Sequence, residues 1–199
     1  MDKQIRYYGS SDIAYIKRAL LGDDGGVSSN EIVEDVCEKL KVKIKKGGSL
    51  ESRLERLVNS VVEKELTSKS PSELAEAFKD IGVGDADSEQ IIEHIKKNGK
   101  VAVLPIVAQV LGPKVTLGII ETIIISLIAQ IIGREAAKQL IKELIKRNPW
   151  LNALGPVLWV ISGVWLTLDL QGAAYRKTVP ICLYLGVVGL RDGADDDKP

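Results

Sequence analysis

Charge is distributed so unevenly along this 199-residue chain that most folds are excluded at once. Residues up to about Lys100 carry most of the ionised side chains, while Val101 to Leu190 is mostly apolar. Two runs stand out: Val115–Ile132, eighteen residues with Glu121 as the single charge, and Trp150–Leu168, nineteen residues with none. Both are long enough to cross a bilayer core, and equally suited to the centre of a helical bundle. Thr178–Leu190 is too short to span.

The charged half reads as a series of capped amphipathic helices. Asp12–Leu21 is one. The next opens at Ser28 with Glu31 three residues on, a capping box, and turns Ile32, Val33, Val36 and Leu40 inward before Gly47-Gly48. A third carries Leu50, Leu54, Leu57, Val58, Val61, Val62 and Leu66 at helical spacing. Ser70, Pro71 and Glu73 start a fourth, with Leu74, Phe78 and Ile81 as its inner stripe and Gly82 as its stop. Asp87-Ser88 opens a fifth, with Ile91, Ile92 and Ile95 inward and Asn98-Gly99 at its end.

Beyond residue 101, Gly112-Pro113 interrupts the apolar sequence, and Arg134–Arg147 is a basic amphipathic stretch stopped by Asn148-Pro149. A last helix runs to Leu190, and Asp192–Pro199 forms an acidic tail expected to fray. No segment alternates with period two between turn signals. The expected fold is therefore all-α: one compact bundle in which amphipathic helices of residues 1–100 wrap an apolar helical hairpin within 101–191, followed by the tail 192–199.

Lys plus Arg equals Asp plus Glu, and aromatics are 5% of residues, so neither a global field nor stacking platforms point to nucleic acid. Cys37 and Cys182 lie far apart, without zinc-ligand spacing, and read as small buried hydrophobes. The N-terminal residues have no apolar core of a signal peptide, which implies a cytoplasmic protein, with peripheral or conditional association with the inner membrane as the variant. His94, the single histidine, sits among Glu93, Lys96 and Lys97 as a solvated residue, and no nucleophile elbow or phosphate loop exists. No catalytic residue, metal set or cofactor is expected, and the chain is read as a non-enzyme. Gly186 and Gly189 fit close helix packing.

A constitutive two-span arrangement would export Arg134–Arg147 against the positive-inside tendency. The three tryptophans, Trp150, Trp159 and Trp165, are also scattered rather than gathered at the ends of a span. Two readings remain. In one, the apolar helices insert conditionally, as in pore-forming helical toxins, with Arg134, Lys138, Lys142, Lys146 and Arg147 at anionic headgroups and Glu121 as the acid that protonates on entry. In the other, they are the core of a soluble adaptor or regulator that binds a protein partner. A homo-oligomer fits either.

The C-terminal pattern carries a resemblance. Leu154-Gly155-Pro156, Trp159, Gly163, Trp165, Asp169, Gly172, Ala174-Tyr175-Arg176, Thr178, Pro180 and Leu190-Arg191 resemble the YaaW-like bacterial family, as does Arg6-Tyr7-Tyr8…Asp12-Ile13…Tyr15-Ile16 near the start. That resemblance implies a helical fold and a bacterial origin with no assigned reaction, and it leaves room for a part in stress response or phage conflict. Asp169, Tyr175 and Arg176 are expected to form a buried polar latch between two apolar helices.

Overall fold

In a computed structural model, residues 28–99, 102–133, 159–165 and 173–196 are described. All their regular elements are helical: α1 Ser29–Lys39, α2 Leu50–Ser68, α3 Pro71–Asp80, α4 Asp85–Asn98, α5 Val103–Ile132 and α6 Ala173–Asp196, with a 3-10 turn at Gly163–Trp165. No strand occurs among the described residues.

The helix starts follow local chemistry. Ser28 accepts from the Glu31 amide at 3.2 Å while the Glu31 carboxylate returns to the Ser28 amide, satisfying two otherwise orphan donors. Ser70 and Glu73 repeat this box at α3, with Pro71 at the first helical position. Helix α4 begins at Asp85, two residues before the expected Asp87, so that both aspartates lie in its first turn beside the positive end of the helix dipole. Gly82 and Gly99 hold positive φ at the two stops.

The chain divides into two units, residues 1–57 with 168–199 and residues 58–167, so composition and packing partition it differently. In the first, α1 packs on α6. Val36, Leu40, Val179 and Leu183 are fully buried, and Cys37 and Cys182 are buried free thiols. Lys39 places its ammonium 4.4 Å from the centre of the Tyr175 ring. Gly189 faces α2: a Cβ there would sit 3.1 Å from a Glu55 carboxylate oxygen, in line with the close packing expected of it.

In the second unit α3 packs on α4 and α4 on α5, around Leu66, Leu74, Phe78, Ile91, Ile119, Ile123 and Leu127. Helix α5 is two helical segments joined at Gly112, whose φ of 77° and ψ of 168° break the helix just before Pro113, at the expected interruption. From Gly118 to Ala129 every residue except Thr122, which is half-buried, is buried. Two of the polar side chains this helix buries are paired locally, Thr116 donating to the Gly112 carbonyl and Ser126 to that of Thr122, each at 2.7 Å. The last helix continues to Asp196, so Asp192, Asp195 and Asp196, expected to fray, extend it, while residues 197–199 of that tail lie outside the described residues.

Trp150–Leu168, expected as one apolar helix, is not one. Of its described part, Trp159–Trp165, the first four residues are non-helical and lead into the 3-10 turn. The physical reason lies in what these residues bind.

Candidate functional site

The C-terminal turns of α2 present Glu63, Lys64, Glu65, Ser68 and Lys69, and all of them hold on to chain far away in sequence. Amphipathic spacing fixes α2, burying Leu57, Val58, Val61, Val62 and Leu66, and that register carries Glu65 and Lys69, one turn apart, into the interior.

Glu65 is completely buried. Its Oε1 accepts from the Trp159 indole N–H at 2.9 Å and the Ser162 amide at 3.1 Å. Its Oε2 accepts from the Trp165 indole N–H at 2.7 Å and the Ser162 hydroxyl at 2.6 Å. The Lys69 ammonium lies 3.4 Å from Oε1 and donates to the Val160 carbonyl at 2.7 Å. Ser68 closes the ring, its hydroxyl 2.7 Å from that of Ser162. Lys64 stands 4.5 Å over the Trp165 ring, and Phe78 meets Trp159 edge-on at 5.9 Å.

An ionised carboxylate has about four lone-pair directions, and four donors with an ammonium occupy them all. Glu65 therefore has no lone pair left to accept a substrate proton. The arrangement is a clasp: it fixes a seven-residue loop, Trp-Val-Ile-Ser-Gly-Val-Trp, around the end of α2. A continuous helix through Trp159–Trp165 would spend the Ser162 amide and the Val160 carbonyl on its own ladder, so the bonds they make to Glu65 and Lys69 select the bent path.

A second carboxylate on the same turns does related work. Ala102, the residue preceding α5, has φ 58° and offers no capping side chain. Glu63 supplies the cap, accepting from the amides of Val103 at 2.6 Å and Leu104 at 2.8 Å.

Outside the clasp, Trp159 and Val160 border a cavity of about 280 Å³ walled by Glu73, Glu76 and Asp80. Val160 is 71% exposed, the most exposed large apolar side chain among the described residues. In the other unit, a groove of about 620 Å³ runs beside α1, where Arg53, buried to 5% exposure, donates to Asn30 Oδ1 at 2.6 Å and Glu34 Oε1 at 3.1 Å. Burial raises the Cys37 thiol, an effect Arg53 opposes. Cys182 is pushed up to about 12, by burial first and then by the charge of Cys37.

The residues singled out from sequence are not brought together. Glu121 is completely buried in α5 and engaged in an interaction there. Arg134, Lys138, Lys142, Lys146 and Arg147 lie outside the described residues, as does Asp169. Tyr175 is half-buried under Lys39, but Arg176 is exposed, so it is not the cation of a buried latch. It stands in the first turn of α6, one turn ahead of the buried Val179 and on the same side as Val179 and Leu183. His94 is exposed on α4. No group of three or more metal-ligating side chains occurs among the described residues.

Glu65 and Lys69 were passed over as charges on an amphipathic helix. The signal that could have found them was the tryptophans: two indole N–H groups in a run without a charged acceptor need one from elsewhere when buried. Ser162-Gly163 in mid-run was a further hint of a break.

No family model and no solved structure matches the chain. It is similar to UPF0174 proteins of Helicobacter pylori: one of strain J99, 28% identical over 98% of this chain and 72% of the relative, and one of strain 26695, 24% identical over 95% and 86%. A second protein of strain J99 is 23% identical over 94% of this chain and 84% of its own length. Those descriptions carry the UPF0174 designation rather than the YaaW-like one that the C-terminal pattern suggested. By its relatives, this all-α chain resembles an uncharacterised bacterial protein family.

Proposed function

We propose that the chain is a non-enzymatic, soluble helical adaptor or regulator that binds a protein partner. The burial of α5 carries this reading. From Gly118 to Ala129 its apolar side chains and its one acid, Glu121, are already committed to the interior. Insertion in lipid would exchange protein packing for acyl chains with no hydrophobic gain and would expose a carboxylate to hydrocarbon. The other candidate run is held in a bent path by the Glu65 clasp, and using it as a membrane helix would break every one of those bonds. Val160, exposed beside Glu76 and Asp80, offers a partner an apolar anchor with an acidic rim. The YaaW-like signature is retained with this reading, and with it a part in bacterial stress or phage conflict.

One observation favours the second reading, a conditionally inserting effector. Helix α5 contains an eighteen-residue window of mean hydropathy 2.2 with the length to span. Dye release from anionic liposomes at pH 7 and pH 5 separates the two. The adaptor releases no dye at either pH, and a photo-crosslinking residue in place of Val160 captures a discrete partner that Glu76→Lys abolishes. Leakage that is stronger in acid and lost in Glu121→Lys refutes the adaptor.

A further inference from the structure

We propose that the groove between α1, the loop Lys41–Ser49 and the first turns of α2 is a binding site for a phosphate group. The loop begins with Lys41, whose left-handed φ of 52° turns the chain back along α1 while the Val42 amide donates to the Cys37 carbonyl at 2.9 Å. The alternation Lys41-Val42-Lys43-Ile44 then buries Val42 and half-buries Ile44 while both lysines stay exposed. Gly47 and Gly48, both with φ near 90°, close the loop onto α2, where the Arg56 guanidinium donates to the Gly47 carbonyl.

The result is a concavity of about 620 Å³, a size suited to a small ligand. Its walls carry four cations, Lys41, Lys43, Lys46 and Arg53, against two acids, Glu34 and Glu38. Glu34 is shared between Arg53 and Lys46, the latter at 3.8 Å. Basic side chains outnumber acidic ones on these walls, which suits the multiply charged phosphate group better than a single carboxylate.

Arg53 makes this a built site rather than a lysine-rich surface. Asn30 and Glu34 hold its two terminal nitrogens, so the planar guanidinium is fixed before any ligand arrives, and its Nε has no partner. A buried guanidinium fixed in orientation at the wall and framed by exposed ammonium groups is a donor set that phosphate recognition uses. Val42 and Ile44 give the groove an apolar floor for the remainder of the ligand. The phosphate belongs either to a soluble phosphorylated molecule or to a phospholipid headgroup.

The site is independent of the adaptor reading, and its test uses the whole protein. Isothermal titration with sodium pyrophosphate at low salt is expected to show saturable one-to-one binding. Lys41→Gln with Lys46→Gln should weaken it about tenfold or more, roughly the worth of one charge-assisted hydrogen bond. Lys79→Gln with Lys96→Gln, the same charge change on α3 and α4, should leave it unchanged. Sedimentation with phosphatidylglycerol against phosphatidylcholine vesicles assigns the source. Pyrophosphate binding without vesicle binding indicates a soluble ligand, and vesicle binding lost in the groove variant indicates a headgroup. Vesicle binding without dye release leaves the adaptor reading intact. The proposal is overturned if neither probe binds, or if the groove and control variants weaken binding equally.

Discussion

Replacing Glu65 tests the clasp most directly. Glu65→Ala strands the Lys69 ammonium, 3.4 Å from the carboxylate and 6% exposed, and removing one partner of such a buried pair costs about 3–5 kcal/mol. It also strands two indole N–H groups, at about 1–3 kcal/mol each where nothing replaces the acceptor. These costs overlap, since relaxation that serves one donor serves its neighbours, so at least about 4 kcal/mol is expected. Against a typical total of about 5–15 kcal/mol, that leaves little folded protein. Glu65→Gln is the better probe: it keeps shape and one acceptor oxygen, turns an amide NH2 toward the donors on the other side, and should cost about 3 kcal/mol. Urea unfolding followed by tryptophan fluorescence and far-ultraviolet circular dichroism reads both the loss and its cooperativity. A cycle with Lys69→Met adds a stricter criterion. Once the ammonium is gone, losing the carboxylate charge matters less, and the double variant should be more stable than the summed single losses by about 1–3 kcal/mol. A Glu65→Gln loss under about 0.5 kcal/mol, or a strictly additive cycle, would refute the reasoning.

Three further outcomes follow from the same geometry. Glu63→Ala removes the cap of α5 and should lower stability by about 1–2 kcal/mol, with the earliest gain in amide hydrogen exchange at Val103 and Leu104. Gly112→Ala should cost about 1–3 kcal/mol in thermal unfolding, all of it conformational, because φ is 77° with ψ 168° and an added Cβ meets nothing within 4 Å; a neutral result would mean the kink is not fixed. The Cys182 thiol is held above its ordinary value of 9.0, at about 12, so the unfolded chain loses its proton first as pH rises. Its contribution to stability is complete below pH 9 and declines between about 9 and 12, by up to about 1.4 kcal/mol per pH unit. A Cys182→Ala variant should lose that part of the alkaline decline, measured by urea midpoints across the range.

What sequence could disclose here was whatever depends on neighbours within a turn or two. The capping boxes at Ser28 and Ser70, the inward stripes of α1 to α4 and the interruption at Gly112-Pro113 are local chemistry, and all stand where spacing put them. The clasp is the opposite case. Glu65 contributes to it as one charge on an amphipathic helix and Trp159 as one apolar residue in a long run, and nothing in either stretch names the other. For the same reason the Glu63 cap was invisible: α5 starts without a capping side chain of its own, and its donor is 40 residues earlier. Arg176 erred the other way: its i+3 and i+7 spacing to Val179 and Leu183 looks inward, but it stands in the first turn of α6, where the chain leaves it exposed.

The clasp also sets an order of events during synthesis. Its two ends are 94 to 100 residues apart, so Glu65 and Lys69 leave the ribosome well before Trp159 and Trp165 exist. At roughly 5–20 residues per second the wait is about 5–20 seconds, long compared with the microseconds in which a helix such as α2 forms. Throughout it the carboxylate and ammonium must stay hydrated on one side of a helix whose other side is already seeking apolar partners. An ion pair one turn apart keeps that unfinished surface soluble, and the arriving tryptophans then convert it into interior. The same two side chains thus protect the nascent chain first and lock the finished one afterwards.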